Sequence, residues 1–217
     1  MSHSHQLPIS SEENSAGKNN LLLPLVTISG IVFLEFLIMG ISLGVIPAYV
    51  HSTLGCGNLL VGVVIGTQYA AILFSRHAAG RLADSKGGKR SVTLGIILSC
   101  LSGLCCLLSY FLTQNPLLSL GLLIMGRILL GIGESFVVIG IFTWGFIIVG
   151  PAHTGKVMVW NGIGMYGGMA CGAPLGMLIA SGISLPAAFA AIALFPILSY
   201  LAMLQLRNVP LPASEEK

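Results

Sequence analysis

This sequence is short of charge. Of its 217 residues 8% are charged, ten Lys/Arg and seven Asp/Glu, where a soluble domain carries about 25% to keep its surface hydrated. So few charges cannot coat a globule of this size, and a mean hydropathy of +0.93 points the same way. No Cys-x-x-Cys spacing occurs among Cys56, Cys100, Cys105, Cys106 and Cys171. Two of these are adjacent, which suits neither a tetrahedral metal site nor an ordinary disulfide. They read as structural filler, and neither a metal nor a cofactor is expected. The 28 glycines follow no Gly-X-Y period, which excludes collagen, and the apolarity excludes low-complexity disorder. The basic residues fall between apolar runs and form no solvated face, so nucleic acid is excluded as a partner. No short apolar stretch with a small-residue cleavage site follows the N-terminus, so no removable signal peptide is expected.

What remains is apolar sequence in long runs. Met1 to Asn20 is polar and reads as a disordered cytoplasmic tail. Beyond it lie six segments near the roughly 20 residues that a helix needs to cross a bilayer. They are Leu21–Tyr49, Leu59–Phe74, Ser91–Leu112, Leu117–Trp144, Val157–Ala180 and Pro186–Leu206, followed by a tail over 207–217. The fourth runs on as apolar sequence to Val149 until Gly150-Pro151 interrupts it, and is expected to overhang the membrane. The fold class is therefore all-α: a six-helix transmembrane bundle, residues 21–206, with the lipid bilayer as its main partner.

Lys and Arg set the orientation. Lys18, then Arg76, Arg81, Lys86, Lys89 and Arg90, then Lys156, then Arg207 and Lys217 fall on one side of the predicted topology. The opposite connections, near His51–Asn58, Thr113–Pro116 and Ser181–Leu185, contain neither. By the positive-inside rule both termini are cytoplasmic.

Three charged residues fall within the spans: Glu35, Arg127 and Glu134. A charge at a helix centre costs on the order of 2.5–3.5 kcal/mol on insertion scales, and such groups face a bundle interior or a wet cavity. These three are candidates for proton coupling, Glu35 and Glu134 as protonatable carboxylates and Arg127 as counter-charge or anion contact. A structural ion pair fixing helix register is the other reading. Arg127 and Glu134 share a helical face about 10 Å apart along the axis, so they need an intermediary or another helix to interact. In the fifth span Gly164, Gly168, Gly172 and Gly176 recur every fourth residue, with Pro174 among them. The stripe invites close approach of a second helix, and the proline a bend or hinge. Gln68, Tyr69, Trp160, Asn161 and Tyr166 add polar edges that either line a substrate cavity or bond neighbouring helices.

The stretch Gly80-Arg81-Leu82-Ala83-Asp84-Ser85-Lys86-Gly87-Gly88-Lys89-Arg90 resembles the signature of the major facilitator superfamily, in the cytoplasmic loop between helices two and three. Gly80, Asp84, Gly87, Lys89 and Arg90 carry the match. Arg127-Ile128-Leu129-Leu130-Gly131-Ile132-Gly133-Glu134-Ser135 is similar to that family's helix-four arginine motif, associated with proton coupling. Gly172-Ala173-Pro174-Leu175-Gly176 is similar to the helix-five motif of its proton-driven exporters, and Thr143 through Gly162 resembles a bacterial inner-membrane, efflux-like subgroup.

The resemblance covers about Leu21 to Arg207 and implies half of a twelve-helix architecture, whose substrate site lies between two six-helix halves. It implies a secondary transporter of a small organic solute, proton-coupled, efflux rather than uptake, not an enzyme. It implies a second six-helix half as partner, either a separate polypeptide or another copy of this chain. In the family the carboxylate at Asp84 meets a helix N-terminus and basic groups of the opposite half, gating the outward-open state. A truncated remnant that inserts without cycling is the alternative. An intramembrane protease is disfavoured, because Ser135 has no histidine at membrane depth to act as its base.

Overall fold

The computed structural model describes residues 11–205, with side chains described over 22–205. Residues 1–10 of the tail expected over Met1 to Asn20, and the whole of the tail expected over 207–217, lie outside the described residues. Among the described residues six α-helices follow one another: α1 (Ser11–Ala48), which continues into a π-helical turn over Tyr49–Thr53, α2 (Asn58–Lys86), α3 (Gly88–Phe111), α4 (Pro116–Val149), α5 (Thr154–Gly182), preceded by a 3-10 turn over Pro151–His153, and α6 (Leu185–Leu204). All six include segments long and apolar enough to cross a membrane, and no strand occurs among the described residues. The predicted six-helix bundle is the architecture observed.

Local sequence explains where most helices begin and end. The Asn115 side chain accepts from the Leu118 N–H at 3.5 Å, and Pro116 occupies the first turn of α4. Ser184 caps α6 in the same way through the Ala187 N–H at 3.3 Å. At its far end α4 does overhang the predicted span, stopping at Gly150, whose φ of +75° is open to glycine and strained for other residues.

The helices outlast the apolar runs in two places. The first helix already begins at Ser11, inside the stretch expected to be a disordered tail. The second runs twelve residues past Phe74, so the signature stretch Gly80–Arg90 is helix on both sides of a single residue, Gly87, rather than a loop. Polarity marks where lipid ends; it does not stop a helix whose residues are helix-compatible. Ala79 and Ala83 continue the buried stripe of Val64, Gln68 and Ile72 along α2, which holds the extension against the bundle. Gly87 makes the turn with φ +91° while its N–H donates to the Ala83 carbonyl at 3.0 Å.

The most extensive packing pairs α1 with α5, α3 with α4, and α2 with α4. Glycines allow it. A Cβ on Gly40 would stand 2.8 Å from the Met169 carbonyl oxygen, and one on Gly164 would stand 2.7 Å from that of Ser29. All four glycines of the α5 stripe are buried against α1, as the four-residue spacing predicts for a close helix contact. Pro174 lies on the exposed side of α5, which continues through it as helix.

At the end nearer His51, hydroxyls fasten three helices. The Tyr49 hydroxyl donates to the Ser109 carbonyl at 2.9 Å and lies 2.9 Å from the Ser119 hydroxyl, while the two serines each donate to the other's carbonyl at 2.9 Å. Phe189 of α6 meets the Tyr49 ring edge-on at 5.2 Å. Outward, Leu59, Leu73, Phe74, Leu117 and Ile183 stand exposed, a surface that hydrocarbon solvates and water does not.

Candidate functional site

The three intramembrane charges all point into the bundle. Glu35 is 1% exposed and Arg127 0%, and Glu134 is also buried. Glycines on α4 decide what each one meets. At Gly131 a Cβ would collide with the Gln68 backbone carbonyl, so α2 closes on α4 there. One turn further along, the Gln68 amide Nε2 donates to Glu134 Oε2 at 3.1 Å. Gly133 and Gly95 allow the same approach between α4 and α3, where a Cβ on Gly133 would meet the Ser99 hydroxyl at 2.8 Å. Ser99 in turn donates to Glu35 Oε1 at 2.5 Å, joining α3 to α1.

Arg127 has no such partner. Its Nε and both terminal nitrogens are buried without a hydrogen bond, and the titratable groups around it are Cys106, Tyr69 and Glu134. Gln68 Oε1, Glu35 Oε2 and the Ser102 hydroxyl are likewise buried without a partner. Natural interiors leave few such groups without a partner. A direct Arg127–Glu134 ion pair does not form, and Gln68 from α2 bonds Glu134 without bonding Arg127.

The other expected site residues disperse. Gln68 is wholly buried between helices. Asn161 is buried with both amide atoms unpartnered, and the Trp160 carbonyl accepts from the Ser29 hydroxyl at 2.7 Å, an α1–α5 link. Tyr69 is 47% and Tyr166 75% exposed. In the signature stretch Asp84 and Arg90 are exposed. Asp84 lines an open groove of about 620 Å³ with Arg81, Ser85, Ala78 and Leu82. Lys89 lies 5.5 Å over the buried Trp144 ring, within reach of a cation–π contact. Gly80 has open space where a side chain would be, while Gly87 supplies the turn.

A recess of about 360 Å³ between α1, α2, α4 and α5 gathers Glu134, Ser135, Phe36 and Met165 with Arg76. Arg76 was expected in a polar connection beyond the second span. It lies instead on a continuous helix, eight residues after Gln68 and four after Ile72. That helical period was the signal in the sequence, obscured by the end of the apolar run at Phe74. The Ser135 hydroxyl donates to the Ile72 carbonyl at 3.1 Å and accepts from Ser75 at 2.8 Å, so it serves helix packing.

The Glu35–Ser99 bond carries a stability prediction. Ser99→Ala leaves a buried carboxylate oxygen without its donor, a loss of about 1–3 kcal/mol. A lower denaturation midpoint in detergent checks it; an unchanged midpoint means that the bond contributes nothing net.

Residues 28–217 match the sequence model of the Major Facilitator Superfamily. The chain is 44% identical over 177 residues to an uncharacterized MFS-type transporter of Salmonella typhimurium, covering 81% of this chain and 45% of that protein. It is 46% identical to the uncharacterized MFS-type transporter YhhS of Escherichia coli K12 over 158 residues, 73% of this chain and 39% of the relative. An uncharacterized MFS-type transporter of Burkholderia mallei is 42% identical over 157 residues, 72% and 39% of the two chains. The chain thus spans less than half the length of the curated relatives it matches. With six membrane-spanning helices and this match over most of its length, the chain is an integral, multi-pass membrane protein and belongs to the major facilitator superfamily.

Proposed function

We propose that this chain is the N-terminal half of a proton-coupled secondary transporter that exports a small organic solute across a bacterial inner membrane. Both its termini are cytoplasmic. It works by alternating access against a second six-helix half, a rocking of one bundle on the other about a site at mid-membrane. The observation that carries the reading is the set of three ionisable side chains, Glu35, Arg127 and Glu134, buried inside six apolar helices. Such groups are expensive in lipid and belong to ion or substrate pathways. Glu134 and Glu35 exchange the proton, Arg127 biases that exchange, and Asp84 with Lys89 and Arg90 gates the cytoplasmic end. Family membership supports transport, and the span of under half the relatives supports dependence on a second half.

The test is flux into and out of proteoliposomes containing the folded chain, with and without an imposed pH gradient. Proton-dependent flux that disappears in Glu134→Gln supports the reading, and flux indifferent to the gradient overturns the coupling. Because the two halves of this fold are parallel repeats, two copies of this chain inserted the same way also satisfy the topology. Native mass measurement in detergent decides between self-pairing and a separate partner polypeptide. A chain that inserts but supports no flux with either one is the non-cycling remnant.

Orientation has its own measurement. In a background lacking the native cysteines, Asp84→Cys is expected to react with a membrane-impermeant thiol reagent only from the cytoplasmic side, and His51→Cys only from the other. Labelling of both from one side overturns the topology.

A further inference from the structure

We propose that the recess between α1, α2, α4 and α5 binds a small zwitterion with an apolar body, its anionic end on Arg76 and its cationic end on Glu134. The inference names a substrate class for the transport reading above and rests on that reading for its purpose.

Two charges of opposite sign line this recess. Helices α2 and α4 run in the same direction. The Ser135–Ile72 bond and the approach of Gly131 to Gln68 set the register of the two helices, which puts Arg76 about one helical turn, roughly 6–8 Å, beyond Glu134 along the bundle. Their roles differ. Glu134 is mostly buried, with one carboxylate oxygen held by the Gln68 amide at 3.1 Å, so its direction is set by the bundle. Arg76 is exposed on α2, and its guanidinium can close on a carboxylate in the two-pronged geometry that arginine favours.

The remaining walls are apolar: Phe36, Phe142, Met165 and aliphatic side chains. The one hydroxyl among them, that of Ser135, is already engaged by Ile72 and Ser75. Rings and a thioether suit an aromatic or branched apolar body. A volume of about 360 Å³ lies at the lower end of the range for small-molecule sites.

Charge decides among solutes that fit. A monocation gains Glu134 but meets the like charge of Arg76, and a monoanion has the converse difficulty. A neutral solute leaves Arg76 and the second Glu134 oxygen without ligand partners as water is excluded, which is costly. A solute with both charges satisfies both.

The test uses the full 217-residue chain in lipid nanodiscs, with equilibrium binding of radiolabelled phenylalanine as probe. Phenethylamine and 3-phenylpropionate serve as competitors that each retain one of its charges. Saturable phenylalanine binding is expected, with each competitor at least tenfold weaker. Arg76→Gln, at an exposed position, is expected to weaken phenylalanine at least tenfold and to tighten phenethylamine, which no longer meets a like charge. The assignment is overturned by absence of saturable binding, by either competitor matching phenylalanine, or by Arg76→Gln leaving the affinity unchanged. The competition needs no substitution, so a variant that misfolds does not blunt it. Phenylalanine binding without proton-dependent flux defeats the transport reading alone, whereas flux without that binding defeats this assignment alone.

Discussion

Gly172→Ala is expected to destabilise the bundle by about 1–3 kcal/mol, the usual cost of forcing a methyl group into a filled interior. The added carbon would overlap the Leu37 carbonyl oxygen and stand 2.8 Å from Gly40 Cα and 2.9 Å from the Ile41 nitrogen. These are backbone atoms of α1, which no rotamer change can move aside. The same exchange at Gly162, also on α5 but with open space at its Cβ position, is expected to be neutral or to stabilise by about 0.5–1 kcal/mol, because alanine loses less backbone freedom than glycine in a helix. Equilibrium unfolding of the two variants in mild detergent checks the contrast. Equal midpoints would mean that α1 and α5 do not meet along the stripe.

Arg127→Met separates stability from activity. The guanidinium is wholly buried and none of its nitrogens has a hydrogen-bond partner. Replacing a buried ion with an apolar side chain of similar length is often neutral or stabilising by about 1–4 kcal/mol, since the desolvation of the charge is relieved. A melting temperature equal to or above that of the parent is therefore expected. Under the transport reading the same variant should lose at least a hundredfold in proton-dependent flux, because the charge that biases Glu134 is gone. Arg127→Ala controls for volume, since it adds a void costing about 2–5 kcal/mol. A methionine variant that melts far below the parent would show that the guanidinium holds the bundle together, and would remove the case for a functional charge there.

Much of this architecture is legible in the sequence, and the parts that are not share a cause. Six apolar runs predict six helices because backbone in lipid must satisfy its own hydrogen bonds. The glycine stripe of α5 predicts its tight partner because a four-residue repeat keeps to one side of a helix. Helix ends are less legible. Residues 75–86 of α2 are polar enough to leave the hydrocarbon yet still helical, so Arg76 reads as a connection when it belongs to a recess. The site depends on distances that arise only between helices. Arg127 and Glu134 visibly need a third helix to interact, but that Gln68 reaches Glu134 and leaves Arg127 unbonded follows from the approach of α2 to Gly131, which sequence spacing does not reveal. Ser99 looks like any serine in an apolar run until α3 and α4 close at Gly95 and Gly133 and bring its hydroxyl to Glu35.

The single residue between α2 and α3 has a mechanical consequence. With only Gly87 joining Lys86 to Gly88, neither rod can slide along the other by a full turn, about 5.4 Å, unless one of them unwinds. The helix that carries Arg76 is thus tied through one residue to the helix that bears Ser99. Lengthening that joint by a few flexible residues would let the two rods move independently, leaving each one's own packing untouched.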